Sequence, residues 1–337
     1  MTVDQTEPVL KVVDLALRYS TRQGEVKAIQ DVSFDLARGQ SLGLVGESGC
    51  GKTSLANCLM RLLPDNARLV GGQVFLDGQD LLSLSEENIR KVRWRRISMV
   101  FQAAMNSLDP VYKVGQQVVE AIETHGVETT VADARERVAR LFQMVGLDPQ
   151  LMERYPHEFS GGMRQRAVIA MALSCDPDII IADEPTTALD VIVQDRILRE
   201  LKGIQEELRM SIIYITHDIA VVAEVTDRIG VMYAGNLVEL GDTTDVFRSP
   251  LHPYTEALMS SFPSVSGEKR PLVSLSGEPP NLSNLPSGCA FHPRCPYATD
   301  ICRLESPPRV GRGNQWAACW HPLDASLSPP TENDASE

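Results

Sequence analysis

The chain has 337 residues, 43% hydrophobic and 23% charged, with a formal net charge of −13. That composition belongs to a soluble globular protein with room for one large domain and an appendage, and the acid excess argues against broad attachment to nucleic acid. No apolar run approaches the roughly 18 residues that span a bilayer, and MTVDQTEPVL lacks the basic-then-apolar order of a secretory signal, so a cytosolic chain is expected.

Apolar residues alternate at Leu15, Leu17 and Tyr19, and again at Val32, Phe34 and Leu36, which predicts half-buried antiparallel strands. The apolar stretch SLGLV then runs into GESGCGKT, residues 46–53, and the helix-forming SLANCLMRLL runs out of it. That is a P-loop in the context it requires. Gly46, Gly49 and Gly51 let backbone N–H groups turn inward, so that the loop as a whole, with Glu47, Ser48, Cys50 and the following Ser54, can surround phosphate oxygens at a helix N-terminus. Lys52 adds a mobile positive charge for the β- and γ-phosphates, and the Thr53 hydroxyl suits Mg2+. The basic run RKVRWRR, residues 90–96, reads as a solvated face beside a strand.

VGQQVVEAIETHG and RERVARLFQMVGL carry helical spacing, the latter at Val138, Leu141, Phe142 and Val145 with Gly146 as a C-cap. Together they mark a helical insert of about residues 103–175. Within SGGMRQR, residues 160–166, Ser160, Gly161 and Gly162 open a helix; alone this is an ordinary N-cap, but it is also a second helix end able to meet an anion. DIIIADE and SIIYITHD read as short parallel strands buried on both faces, and each ends in reactive side chains. Asp183 can hold Mg2+ directly or through water, and Glu184 can polarise the water that attacks the γ-phosphate. The plainer readings are a solvated Asp-Glu turn and, for His217, a satisfied core histidine. An open parallel sheet collects ligands beyond the carboxyl ends of its strands, so the P-loop, Asp183, Glu184 and His217 should share one crevice. GVMYAGNLVEL predicts a hairpin turning at AGN. Beyond residue 262 Pro, Ser and Gly take over and periodicity fades, and residues 323–337 form an acidic tail expected to be disordered.

GESGCGKT, the Gln102 of MVFQ, FSGGMRQR, IIIADEP, the TALD of residues 187–190 and the His of ITHD follow the order seen in ATP-binding cassette (ABC) ATPases, which the chain resembles over about residues 9–263. The resemblance implies an α/β fold: a P-loop NTPase (RecA-like) parallel core sheet with an antiparallel β subdomain and an α-helical subdomain. By matching position it implies that Tyr19 stacks on adenine and that Gln102 watches Mg2+ and the transmembrane partner. It further implies that Ser160, Gly161 and Gly162 close on nucleotide held by an opposing subunit, that Asp190 lies at the dimer contact and that His217 reaches the γ-phosphate. The signature departs from the commoner LSGGQ at Phe159 and Met163, so no side-chain amide stands at position 163.

FQAAMNSLDPV, DEPTTALDV, VMYAGNLVELG and HPYTEALMSSFP look like the ATPase subunits of dipeptide and oligopeptide importers, a group that includes nickel and some sugar-oligomer importers. GCAFHPRCPYA is similar to the extension of those subunits, here residues 264–322. This resemblance implies ATP and Mg2+ as cofactors and, as partners, a second and non-identical ATPase subunit, two transmembrane permease subunits and an extracytoplasmic solute-binding protein. It places the chain at the cytoplasmic face of the membrane and involves no nucleic acid. A soluble cassette ATPase acting on DNA or ribosomes is the alternative, disfavoured by the acidic balance and the lack of a long coiled-coil insert.

Of seven cysteines, Cys50, Cys58 and Cys175 read as packing or loop thiols, and the rest crowd together as Cys289-x5-Cys295-x6-Cys302-x16-Cys319. In a reducing compartment such a cluster suggests thiolate ligation rather than disulfides. The close C-x2-4-C pairs of structural zinc are absent, which favours a [4Fe-4S] cluster over zinc or unligated thiols. Some members of the resembled subfamily carry a cluster there.

Overall fold

The computed structural model describes residues 7–22, 24–102, 107–127, 130–187, 189–260 and 277–327. The first residues of the expected helical insert, Ala188 of TALD, the start of the extension and most of the acidic tail lie outside the described residues.

Two sheets organise the chain. Strands β1 (Leu10–Thr21) and β2 (Gly24–Leu36) pair antiparallel, as their alternation predicts, and belong to a four-stranded sheet. The larger sheet begins with β3 (Ser41–Val45), after which comes helix α1 (Lys52–Leu59). Strands β4 (Ala67–Leu76) and β5 (Gln79–Asp80) complete the antiparallel sheet in the order β2-β1-β4-β5. Helix α2 (Glu86–Val92) leads to β6 (Ile97–Val100). The helical part holds α3 (Val114–Thr124), α4 (Val131–Met144) and α5 (Gly161–Ala172). Then come β7 (Ile179–Asp183), α6 (Val191–Leu208), β8 (Ser211–Thr216), α7 (Ile219–Val225) and the hairpin β9 (Arg228–Tyr233) and β10 (Asn236–Asp242), which turns at Ala234 and Gly235. Helices α8 (Thr243–Arg248), α9 (Pro253–Ser260) and α10 (Asp300–Leu304) precede strands β11 (Arg309–Arg312) and β12 (Gln315–Ala318). The large sheet runs β11-β12-β10-β9-β3-β8-β7-β6.

The unbroken apolar runs have a direct cause. Every residue of β7 and β8 is buried, and successive side chains enter different cores. Ile179, Ile181, Ile213 and Ile215 pack with the antiparallel sheet and α1, whereas Ile180, Ala182, Ile212 and Tyr214 pack with the helical part. A strand covered on both faces has no polar side to alternate with. In α4, Ala134, Val138, Leu141 and Phe142 form the buried stripe, the Thr130 hydroxyl caps the start by accepting the Asp133 N–H at 3.1 Å, and Gly146 (φ 69°) follows the end.

Two expectations need adjustment. Only part of the basic run is a solvated face: the Arg93 guanidinium donates to the Met60 and Arg61 carbonyls at 2.9 and 2.8 Å, and Arg96 pairs with Asp77 and Asp178, which Arg38 also joins at 2.8 and 3.0 Å. The run therefore ties the antiparallel sheet to the core. The C-terminal extension, expected to be loop-rich, contributes two strands to the main sheet, β12 pairing with β10 at Glu239↔Ala317 and Leu240↔Trp316. Neither strand carries an apolar alternation that would announce it: in QWAA the buried positions are Gln315 and Ala317, and Trp316 is only half-buried.

Candidate nucleotide-binding site

Parallel pairing brings the reactive strand ends together. Val45 of β3 lies beside Thr216 of β8, and Asp183 of β7 lies beside Ile215. Gly46, Glu184 and His217 therefore leave the sheet together at the carboxyl ends of these neighbouring strands. The loop can pass there only as bare backbone: a Cβ on Gly46 would stand 2.2 Å from the Met232 carbonyl oxygen, and one on Gly51 would stand 2.4 Å from that of Ala28. Both have positive φ, 150° and 110°. Gly51 caps α1 without a side-chain hydrogen bond, which leaves the helix N-terminus to other acceptors. Lys52 is buried, its ammonium donating to the Gly46 and Glu47 carbonyls at 2.6 and 3.0 Å. Tyr19 is half-buried and its hydroxyl lies 3.2 Å from Ser54 Oγ, so the strand aromatic stands beside the start of α1.

The two adjacent carboxylates have opposite environments. Asp183 is 1% exposed, and neither of its oxygens makes a well-directed hydrogen bond among the described residues. Burial pushes its pKa up; Thr53, close by, and Lys52 pull it down, and Glu184 adds to the rise, leaving it above the usual range. Two orphaned carboxylate oxygens opposite a hydroxyl match the all-oxygen ligand set of a hard divalent cation, so the residues fit Mg2+. Glu184 is satisfied instead. Its Oε2 accepts from Gln102 Nε2 at 2.9 Å and from the Thr187 hydroxyl at 2.8 Å, and its Oε1 lies 3.1 Å from His217 Nδ1. Burial raises its pKa, but Thr187, His217 and the charge of Lys52 outweigh it, so the carboxyl sits below the usual range and is held in its ionised form. Its backbone is left-handed, φ 47°, and is held there by an N–H bond to the Ile215 carbonyl at 2.8 Å. A non-glycine residue in that region carries strain that clusters at functional sites.

Ser160, Gly161 and Gly162 stand elsewhere, with the Ser160 hydroxyl accepting the Met163 N–H at 3.3 Å. They line an open groove with Gly146, Asp190 and Val193, and no P-loop residue lines it. Asp190 caps α6 by accepting the Val193 N–H at 2.9 Å. Sequence reasoning gave no role to Thr187, whose only signal was its place in TALD, or to Tyr254 and Arg294. The latter two touch Glu47 from 207 and 247 residues away, and no local pattern foretells that.

Cys289, Cys295, Cys302 and Cys319 line one small cavity, with His292 and His321 on its wall. All are free thiols. Burial pushes Cys289 up to about 11 and Cys319 up to about 12, with neighbouring thiols adding to the rise. Among the described residues, however, no three His, Cys, Asp or Glu side chains are gathered closely enough to hold a metal ion. The iron–sulfur expectation thus finds a shared cavity but no closed ligand set, because spacing along a chain does not fix the distance between sulfurs.

The ABC transporter family matches residues 29–187, and the oligopeptide/dipeptide transporter C-terminal region matches residues 238–302. The oligopeptide transport ATP-binding protein OppD of Escherichia coli (strain K12) is 44% identical over 325 residues, 96% of this chain and 96% of its own length. The chain belongs to the ABC transporter ATPases. The dipeptide transport ATP-binding protein DppD of Lactococcus lactis subsp. cremoris (strain MG1363) is similar to this ATPase at 47% identity over 304 residues, 90% of this chain and 87% of that one. Among solved structures, the dimeric MJ0796, a bacterial ABC transporter cassette, superposes with a TM-score of 0.62 at 28% identity, covering 69% of this chain and 98% of its own. The matches place this ATPase in the oligopeptide/dipeptide branch and do not favour a cassette acting on DNA or ribosomes. No described helix is long and apolar enough to cross a membrane.

Proposed function

We propose that this ATPase is the motor of an importer for dipeptides, oligopeptides or a related solute. The observation that carries the reading is the gathering of the P-loop, Asp183, Glu184 and His217 at the carboxyl ends of neighbouring parallel strands, in a chain that carries an oligopeptide/dipeptide-type region. In this reading residues 9–263 are the nucleotide-binding domain, with a helical subdomain at about 103–175, and residues 264–322 are the importer-type extension, followed by an acidic tail at 323–337. The motor works at the cytoplasmic face of the membrane, with two transmembrane permease subunits, a second and non-identical ATPase subunit, and an extracytoplasmic solute-binding protein.

ATP lies between the loop of one subunit and the signature helix of the other. Tyr19 stacks on adenine, the N–H groups of residues 46–54 surround the phosphates, and Lys52 leaves its carbonyl partners for the β- and γ-oxygens. Mg2+, when bound, neutralises charge on those oxygens, and Thr53, Asp183 and Gln102 would hold it. Glu184 orients water and takes its proton, while His217, beside the same carboxylate, contacts the γ-phosphate. Ser160, Gly161 and Gly162 supply the second anion-binding helix end to nucleotide on the opposing subunit, and Asp190 borders that contact. That no P-loop residue lines the groove of Ser160, Gly161 and Gly162 supports this division.

Purifying the native complex from membranes and identifying every subunit tests the assignment. Two hydrophobic permeases and a second ATPase are expected; ribosomes or DNA in their place would overturn it. The cysteine cavity is read as a [4Fe-4S] site on donor number and chemistry alone. Anaerobically purified protein should then carry roughly four irons and four acid-labile sulfides per chain, and neither element at stoichiometric level removes the cluster.

A further inference from the structure

Glu47 of the P-loop is held from outside the nucleotide site by two side chains from beyond residue 250. The Arg294 side chain, 5% exposed, forms a forked ion pair with the Glu47 carboxylate, Nη1–Oε2 2.6 Å and Nη2–Oε1 2.9 Å. The Tyr254 hydroxyl accepts the backbone N–H of the same residue at 2.9 Å. Neither contact is accidental packing. Tyr254, Tyr233 and Phe291 pack in a triangle of tilted and edge-to-face rings with centres 4.6 to 5.3 Å apart, and the Arg294 Cζ lies 5.8 Å from the centre of the Tyr233 ring. Tyr254 is aimed by the turn before α9, where Glu239 accepts the Leu251 and His252 N–H groups at 2.8 and 2.9 Å and His252 Nδ1 accepts the Tyr254 N–H at 3.0 Å.

We propose that Arg294 is a positioning residue for nucleotide binding that acts through Glu47, with Tyr254 fixing the backbone of the same residue. Two physical effects combine. A bidentate, poorly solvated Arg–carboxylate pair fixes direction as well as distance, so Glu47 cannot rotate into the space the phosphates need. It also offsets a negative charge beside a polyanion site, where an uncompensated carboxylate would repel the triphosphate. The extension is thereby a structural support of the loop, although it supplies no group to the reaction.

The inference rests on the nucleotide-site reading above, and the test separates the two. In the full chain, Mg-ATP affinity is measured by fluorescence titration, and KM and kcat by steady-state hydrolysis, with the unfolding midpoint as a folding control. R294M should raise Kd and KM by about 5- to 20-fold and leave kcat within about threefold, the size of a typical coupling between separated groups. E47Q/R294M should recover affinity to within about threefold of wild type, because the charge that Arg294 offsets is gone. R294K keeps the charge but not the fork and should fall between wild type and R294M. Loss of affinity in K52A together with wild-type affinity in R294M, or with no recovery in E47Q/R294M, overturns the inference and leaves the nucleotide site standing. Retained binding in K52A overturns the nucleotide-site reading itself. Should R294M fail to fold, R294K decides: wild-type affinity there overturns the inference.

Discussion

Glu184 is held by Gln102, Thr187 and His217 at once, and its own backbone is strained to allow it. A side chain so constrained can be changed without losing its place, which makes Glu184→Gln informative: turnover should fall by about two to four orders of magnitude while ATP still raises the unfolding midpoint. Wild-type turnover would reject the role of base. Lys52→Ala should instead abolish the ATP-dependent rise in midpoint, since Lys52 is the loop's own cation. At this scale the sequence was legible where chemistry demands residue types at fixed spacing. GESGCGKT and the strand-end acids named most of the residues now found together. The contacts that orient Glu184 were less legible: Gln102 and His217 stand out for Mg2+ and the γ-phosphate, yet they reach its carboxylate across 82 and 33 residues only through the parallel order of β6, β7 and β8.

At the scale of elements, burial on both faces made β7 and β8 readable and predicts their sensitivity. Ile213 is fully buried in β8, so Ile213→Ala should cost about 2–5 kcal/mol in urea unfolding. Ile192→Ala, at a position 82% exposed, should stay within about 0.5 kcal/mol of wild type. Equal losses at the two would contradict the packing described here. The turn before α9 offers a second case. Glu239, fully buried in β10, accepts two backbone N–H groups and the Gln315 amide, and Glu239→Leu should destabilise by about 3 kcal/mol by leaving those donors without an acceptor. The pattern VMYAGNLVEL announced the hairpin but not this carboxylate, since an acid within an apolar strand reads as an outward-facing residue until the strands around it are known.

At the scale of the molecule, the exposed apolar side chains gather meaning beside the signature groove. Val191 and Ile192, 80% and 82% exposed, follow Asp190 at the start of α6, where a lone chain gains nothing by presenting them to water. Replacing both by Asp should weaken ATP-dependent association of Glu184→Gln protein with a second ATPase subunit by more than about tenfold, and leave the isolated chain's unfolding midpoint within about 2 °C. Unchanged association in a sizing experiment would remove this surface from the contact. The lateral pairing of β12 with β10 has a consequence for how the chain can be shortened. A cut at the apparent boundary near residue 262 would strip the hem from the main sheet, baring a row of unsatisfied peptide groups on β10 that invites other chains to pair. Such a fragment should clump rather than behave as a minimal motor, and what resembles a removable tailpiece is the selvage that keeps the fabric from unravelling.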